Sequence, residues 1–165
     1  MASGPLLPSS IYLGAASGNL SPTIFQSSTA GNNASFIEGI GCVASLGSTA
    51  PCTLQFNLPE SIPTGTMKLR GLAWAQATTG KGVVVPSDGQ TAVNSDIGGT
   101  ALTANATMTW DWASLGLGSV MLEQKVNLST TPTANDILTV LLNFESSAWT
   151  LAATGVFQFS LVWEP

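Results

Sequence analysis

Histidine is absent from this chain of 165 residues, and only 4 Lys+Arg and 9 Asp+Glu are present. Without histidine there is no Ser-His-Asp or Cys-His catalysis, no H-E-x-x-H centre and no histidine-based zinc site. Charged residues make up 8% of the sequence, against roughly 25% in ordinary domains. The four basic residues do not form a patch: Lys68 and Arg70 are close, whereas Lys81 and Lys125 are scattered. Nucleic-acid binding needs several phosphate contacts from clustered cations, so no nucleic-acid partner is expected. No run of about 18 apolar residues occurs, and no membrane partner is expected. Only two cysteines are present, Cys42 and Cys52. Oxidised, they would close a small loop or act as a redox pair. The alternative, placed ahead of it, is two small buried residues on neighbouring strands. They cannot supply the four N or S ligands of a structural zinc.

The sequence still carries a core. Hydrophobic residues reach 44% and the net charge is only −5, which is the opposite of the composition of a disordered chain. A surface made polar by Ser, Thr, Asn and Gln resists association less well than a charged one. Burial against other copies or a partner is one way to tolerate it. The opening MASGPLLPSSIYLGAASG has no Lys or Arg before its apolar part and is broken by Pro5 and Pro8, so it reads as mature chain rather than a signal peptide. Four N-x-[ST] triplets, at Asn19, Asn33, Asn105 and Asn127, carry no weight in so Ser- and Thr-rich a chain.

Residues 1–35 differ from the rest. They hold Pro5, Pro8 and Pro22 with apolar spots at Leu6, Leu7, Ile11, Tyr12, Leu13, Leu20, Ile24 and Phe25. A flexible linker needs no Tyr12 or Phe25. We read this segment as an extended arm that docks on a neighbour, with Leu6, Leu7, Ile11, Tyr12, Leu13, Ile24 and Phe25 as its interface residues. A disordered tail and a first strand of the same domain are the alternatives. Residues 36–165 form the domain proper.

From residue 36 on, the dominant signal is an alternation with period two, the mark of half-buried strands. Leu54, Phe56 and Leu58 fall on one face, and Thr53, Gln55 and Asn57 on the other. Between Thr66 and Gln76, Met67 and Leu69 oppose Lys68 and Arg70. Leu72 and Trp74 then fall on the basic face, a phase change that a bulge at Gly71 would repair. A short strand over Gly82–Val85 ends at Pro86, and Pro86-Ser87-Asp88-Gly89 reads as a turn. Residues 87–105 read mostly as a polar loop centred on Gly98-Gly99, with room for one short strand. Further strands are expected over Thr107–Trp112, Ser119–Leu128, Ile137–Phe144 and Gly155–Trp163, the last two forming the cleanest pair. A weak strand over Ile40–Leu46 brings the total to about eight. The fold class is all-β: a two-sheet antiparallel sandwich, jelly-roll-like, with an extended N-terminal arm.

Few groups are available for chemistry. There is no phosphate loop and no dinucleotide fingerprint. A glycosidase needs two carboxylates roughly 5–10 Å apart; the candidates are Glu60, Asp96, Asp111, Glu123, Asp136, Glu145 and Glu164. All read more simply as solvated loop and strand residues, with Asp111 and Glu123 the best strand pair. No D-x-[DN]-x-[DN]-G run offers calcium ligands. No catalytic, cofactor or metal residue is assigned, and the chain is expected not to be an enzyme. Of the five tryptophans, Trp110, Trp112 and Trp163 share faces with aliphatics and read as core. Trp149, in a connection, and Trp74 are the candidates for a ligand or interface aromatic.

The stretches LPESIPTGTMKLRGLAWA (58–75), the W-D-W of residues 110–112 and NDILTVLLNFESSAWTLAATGVFQFSLVWEP (135–165) resemble small β-sandwich proteins of tailed bacteriophages. The resemblance runs from Leu54 to Trp163 and contains no site motif to carry over. It implies a jelly-roll virion component, often trimeric: a cement or decoration protein on the phage capsid surface. Its partners would be further copies of itself and the major capsid protein, without a cofactor, assembled in the host cytoplasm. The alternative is a carbohydrate-binding or receptor-binding β-sandwich module of a phage tail or fibre. Uncharged interfaces avoid the desolvation of buried ions, so a cement contact of this kind should depend only weakly on salt.

Overall fold

The computed structural model describes residues 4–13, 20–25, 39–44, 52–75, 80–95, 101–113, 121–145, 148–151 and 154–165; for 13, 20–25, 39–44 and 154 it describes the backbone. The strands in chain order are β1 (Ser10–Leu13), β2 (Leu20–Phe25), β3 (Gly39–Ala44), β4 (Cys52–Asn57), β5 (Thr66–Ala75), β6 (Lys81–Thr91), β7 (Thr103–Ala104), β8 (Met108–Asp111), β9 (Met121–Asn127), β10 (Ile137–Phe144) and β11 (Thr154–Glu164). They form two antiparallel sheets. One runs β1-β4-β10-β6-β7, with β8 also paired to β6; the other runs β2-β3-β11-β5-β9. From β8 onward the chain changes sheet at every connection, which gives the sandwich its jelly-roll-like course. Among the described residues no helix is long and apolar enough to cross a membrane.

The alternation sorts side chains as a sandwich requires. Leu54 and Phe56 of β4 and Leu138, Val140, Leu142 and Phe144 of β10 are buried inward from one sheet. Met67 and Leu69 of β5 and Phe157, Phe159 and Leu161 of β11 meet them from the other. Met108, Trp110 and Trp112 are fully buried, as their shared phase predicts. Trp110 crosses the sandwich. Its ring stands edge-on to Phe157 and Phe159, with centroids 5.0 and 6.1 Å apart, and its Nε1 donates to the Gly71 carbonyl at 3.2 Å.

Several expectations need correction. No bulge exists at Gly71: β5 keeps continuous register with β11 from Ala75 to Thr66 and with β9 from Trp74 to Lys68. Gly71 and Ala73 point inward instead, because a larger residue at 71 would collide with Trp110. Leu72 and Trp74 therefore stay on the outer face with Lys68 and Arg70. The expected turn at 86–89 lies inside β6. Pro86 is tolerated because its carbonyl, which points to the same side as its nitrogen, accepts from the Asn105 amide at 2.8 Å. That side opens into the gap between β8, paired to residues 81–84, and β7, paired to 87–88. No ladder donor is needed there. The cleanest pair of strands, β10 and β11, lie in opposite sheets. Gly98-Gly99 lies outside the described residues.

The N-terminal segment also departs from expectation. Leu6 and Leu161 exchange backbone hydrogen bonds at 2.9 and 2.8 Å, and β1 then pairs with β4 while β2 pairs with β3. The described part of residues 1–35 is thus built into both sheets of its own chain, not held out as an arm. Open backbone edges on β4, and on β11 beyond its pairing with β3, provide the partners. Leu6 and Ile11 pack partly against the core, whereas Leu7 and Tyr12 stay exposed. The side chains of Leu13, Ile24 and Phe25 lie outside the description. Cys42 and Cys52 fall on β3 and β4, strands of opposite sheets rather than neighbours. Cys52 is buried and free, and burial pushes its thiol up to about 12.

Candidate binding face

The outer face of the five-stranded sheet gathers three of the four basic residues that the sequence scatters. Residues directly opposite in an antiparallel pair share a face. Trp74, Leu72, Arg70 and Lys68 of β5 lie opposite Met121, Glu123, Lys125 and Asn127 of β9. On the other side they lie opposite Val156, Gln158, Ser160 and Val162 of β11. Arg70 Nε donates to Glu123 Oε1. Lys68 Nζ donates to Glu164 Oε2 at 2.8 Å, and Lys125 Nζ reaches across β5 to Glu164 Oε1 at 2.5 Å. Lys125 also stands 3.7 Å from Glu123. Three of the four basic residues and two carboxylates thus form one lattice across β9, β5 and β11, partly exposed throughout.

Glu164 is the hub. Hydrogen bonds from Lys125 and then Lys68 hold its carboxyl down to about 2, and its hydrogen bond in turn raises Lys125. A carboxyl lowered in the folded state stabilises above its unfolded value and loses that contribution as pH falls through the folded one. The melting difference between the native chain and Glu164→Gln should therefore be full near neutrality. It should shrink as pH falls from about 4.5 toward about 2. Paired thermal melts across that range check this; a constant difference would contradict it.

A second polar cluster is internal. Asp88, 1% exposed, faces inward beside Val140. It accepts from Asn105 Nδ2 at 2.6 Å and from the backbone amides of Ser129 and Thr130 at 3.1 and 2.9 Å. Asn105 in turn accepts from Ser129 Oγ at 2.6 Å. This carboxylate fixes the segments after β7 and after β9 onto β6, and it does not face the outer surface.

The other candidate residues fall differently. Trp149 is 4% exposed, its Nε1 donating to the Leu151 carbonyl and its ring against Phe144 and Phe157. The expected exposed tryptophan is a core residue because Gly82 leaves room beneath its ring. Trp74, on the outer face, is 6% exposed. Asp111 and Glu123 stand on the outer faces of opposite sheets and share no groove. Asp96 lies outside the described residues. Among the described residues no group of three or more His, Cys, Asp or Glu could hold a metal ion.

No protein-family model matches this chain, and no curated protein does. Solved structures with a related architecture exist. A family 11 carbohydrate-binding module of the cellulosomal cellulase Lic26A-Cel5E from Clostridium thermocellum has a TM-score of 0.48 at 11% identity, covering 99% of this chain and 97% of its own. The CBM22-1 xylan-binding domain of Paenibacillus barcinonensis Xyn10C has 0.46 at 9%, covering 93% and 85%. The enzymatically active domain of tailspike protein 4 from bacteriophage CBA120 has 0.46 at 12%, covering 94% of this chain but 20% of that one. At these identities and scores the likeness is one of β-sandwich architecture alone.

Proposed function

We propose that this chain is a non-catalytic recognition module that binds a glycan on the outer face of its five-stranded sheet. The observation that carries the reading is the lattice of Lys68, Arg70, Glu123, Lys125 and Glu164, which concentrates three of the chain's four basic residues on one sheet face. A sugar hydroxyl both donates and accepts. The lattice sets carboxylate acceptors beside cationic donors, with the Gln158 amide between Leu72 and the β11 edge able to do either. Side chains already held by one another lose little freedom on binding. Leu72, opposite both Glu123 and Gln158, supplies apolar surface for the C–H face of a ring.

Binding without hydrolysis fits the hub of the lattice. A general acid in glycoside cleavage needs a raised pKa, and Glu164 is held low. The resemblance to tailed-phage proteins supports a place in a virion tail or fibre, with a host-surface glycan as target class. The capsid-cement reading comes from the same resemblance and would use residues 1–35 as an arm to a neighbour, whereas the described part of that segment is bonded within its own chain. The lattice cations are already paired with carboxylates, which favours a neutral ligand over nucleic acid.

Titration calorimetry against a panel of xylan, β-1,3-1,4-glucan and purified bacterial surface polysaccharides tests this. At least one should bind, and Arg70→Ala or Glu123→Ala should weaken it about tenfold or more, the equivalent of about 1.4 kcal/mol. No binding across the panel, or binding indifferent to both variants, would sink the reading.

A further inference from the structure

β9 ends the five-stranded sheet, and among the described strands only β5 pairs with it. Just past its end, the Leu128 amide donates at 3.2 Å to the carbonyl of Met67, the residue directly opposite. In an antiparallel pair, opposed residues that exchange hydrogen bonds alternate with residues that do not. Leu122, Gln124, Val126 and Leu128 therefore bond to β5. The N–H and C=O groups of Met121, Glu123, Lys125 and Asn127 point away from it, to the open edge. All four of these residues are exposed. Glu123 and Lys125 keep 41% and 32% of their side chains exposed despite their ion pairs, so both can take a further partner. The strand holds no proline and no glycine, and it keeps unbroken register with β5 from Met121 to Asn127. An edge without such blunting devices is a template for another strand.

We propose that β9 pairs with β9 of a second copy, antiparallel about a two-fold axis at Gln124, joining two five-stranded sheets into one. The charge pattern selects both this occupant and this register. A two-fold contact is isologous, and because only alternate residues face the edge, its axis falls on a residue. Centred on Glu123, the seam sets carboxylate against carboxylate; centred on Lys125, it sets ammonium against ammonium. Like charges directly opposite are destabilising. Centred on Gln124, Glu123 stands opposite the second copy's Lys125, and Lys125 opposite its Glu123. Met121 then lies opposite the second copy's Asn127, and inward Leu122 opposite its Val126. Each edge-facing pair exchanges two hydrogen bonds, which occupies the free backbone groups of β9. An unrelated strand offers no such match to Glu123 and Lys125. The seam is held by main-chain hydrogen bonds rather than by area, and its small size places it among weak, reversible contacts. The pairing does not rest on the glycan reading; together with it, the seam makes two lattices one continuous face.

Sedimentation equilibrium without any glycan, from about 10 µM to about 1 mM, reads this independently of the ligand. The native mass should rise from 16.9 kDa toward twice that value. Glu123→Lys and Lys125→Glu each set like charges across the seam and should stay monomeric to the highest concentration. Mixed in equal amounts, the two variants should form a heterodimer, because the residues at 123 and 125 then face opposite charges throughout. Glu123→Pro removes an edge-facing N–H that β5 does not use and should also abolish the dimer; it serves where circular dichroism shows that a charge reversal disturbs the fold. Glu60→Lys, the same charge change at an exposed site away from β9, should dimerise like the native chain. A native chain still monomeric at the highest concentration, a trimer, a dimer that survives any of the three β9 substitutions, or folded charge variants that stay apart when mixed would overturn the proposal.

Discussion

Gly71→Ala should lower the stability of this protein by about 1–3 kcal/mol, the usual cost of overpacking a filled core, and Gly71→Val by more. A Cβ at this position would stand 2.5 Å from Trp110 Cζ2, 3.0 Å from Met108 Cε and 3.1 Å from Phe159 Cε1. The indole has no room to retreat. It is wedged edge-on against Phe157 and Phe159 and hydrogen-bonded to the Gly71 carbonyl. Relief therefore means moving β5 away from β8 and opening the sandwich at its centre. Trp110→Ala, which empties the same place, should cost about 3–5 kcal/mol. Urea unfolding of the three variants reads both effects as lower midpoints. A native midpoint in Gly71→Ala would show that Trp110 does not set the spacing between the sheets.

Asp88→Ala should cost about 2–4 kcal/mol. It strips the acceptor from the Asn105 amide and from the backbone amides of Ser129 and Thr130. An unsatisfied buried donor costs about 1–3 kcal/mol, and the sum is held down because Ser129 is exposed and its amide can regain water. Asp88→Asn keeps one oxygen and should lose less. The damage should be local before it is global. Amide exchange should quicken first at Ser129 and Thr130, while β10 amides stay protected. Unchanged protection at those two amides would remove Asp88 from this role.

The sequence made the faces of the strands legible but not their neighbours. Alternation placed Leu54, Phe56, Met108, Trp110 and Phe157 inside correctly, since period two reports which side of a sheet a residue occupies. It also placed Lys68, Arg70, Glu123, Lys125 and Glu164 outside. It could not show that they meet, because β5, β9 and β11 become neighbours only through the sheet order. For the same reason β10 and β11, alike in pattern, fall in different sheets. The phase change at Gly71 shows how such a reading fails. Leu72 and Trp74 on the basic face resemble an error in need of a bulge, whereas both keep the strand's register on the outer face, Leu72 as the apolar part of the candidate site and Trp74 buried. The small Gly71 and Ala73 that seem out of place inward are there for Trp110. Pro86 and Gly89 misled similarly: turn composition yields to a gap in the ladder and to pairing with β10. Trp149 lies in a connection, yet that connection is bonded back to Lys81 through the amides of Thr150 and Leu151. Position between strands did not mean exposure.

Amide chemical-shift perturbation with the tightest-binding polysaccharide of the panel maps the binding face directly. The shifts should concentrate on Lys68–Leu72, Glu123–Lys125 and Gln158–Ser160, and Arg70→Ala should weaken them all together. Perturbations centred on Thr53, Thr139 and Leu141 instead, or spread without a centre, would contradict binding at the lattice.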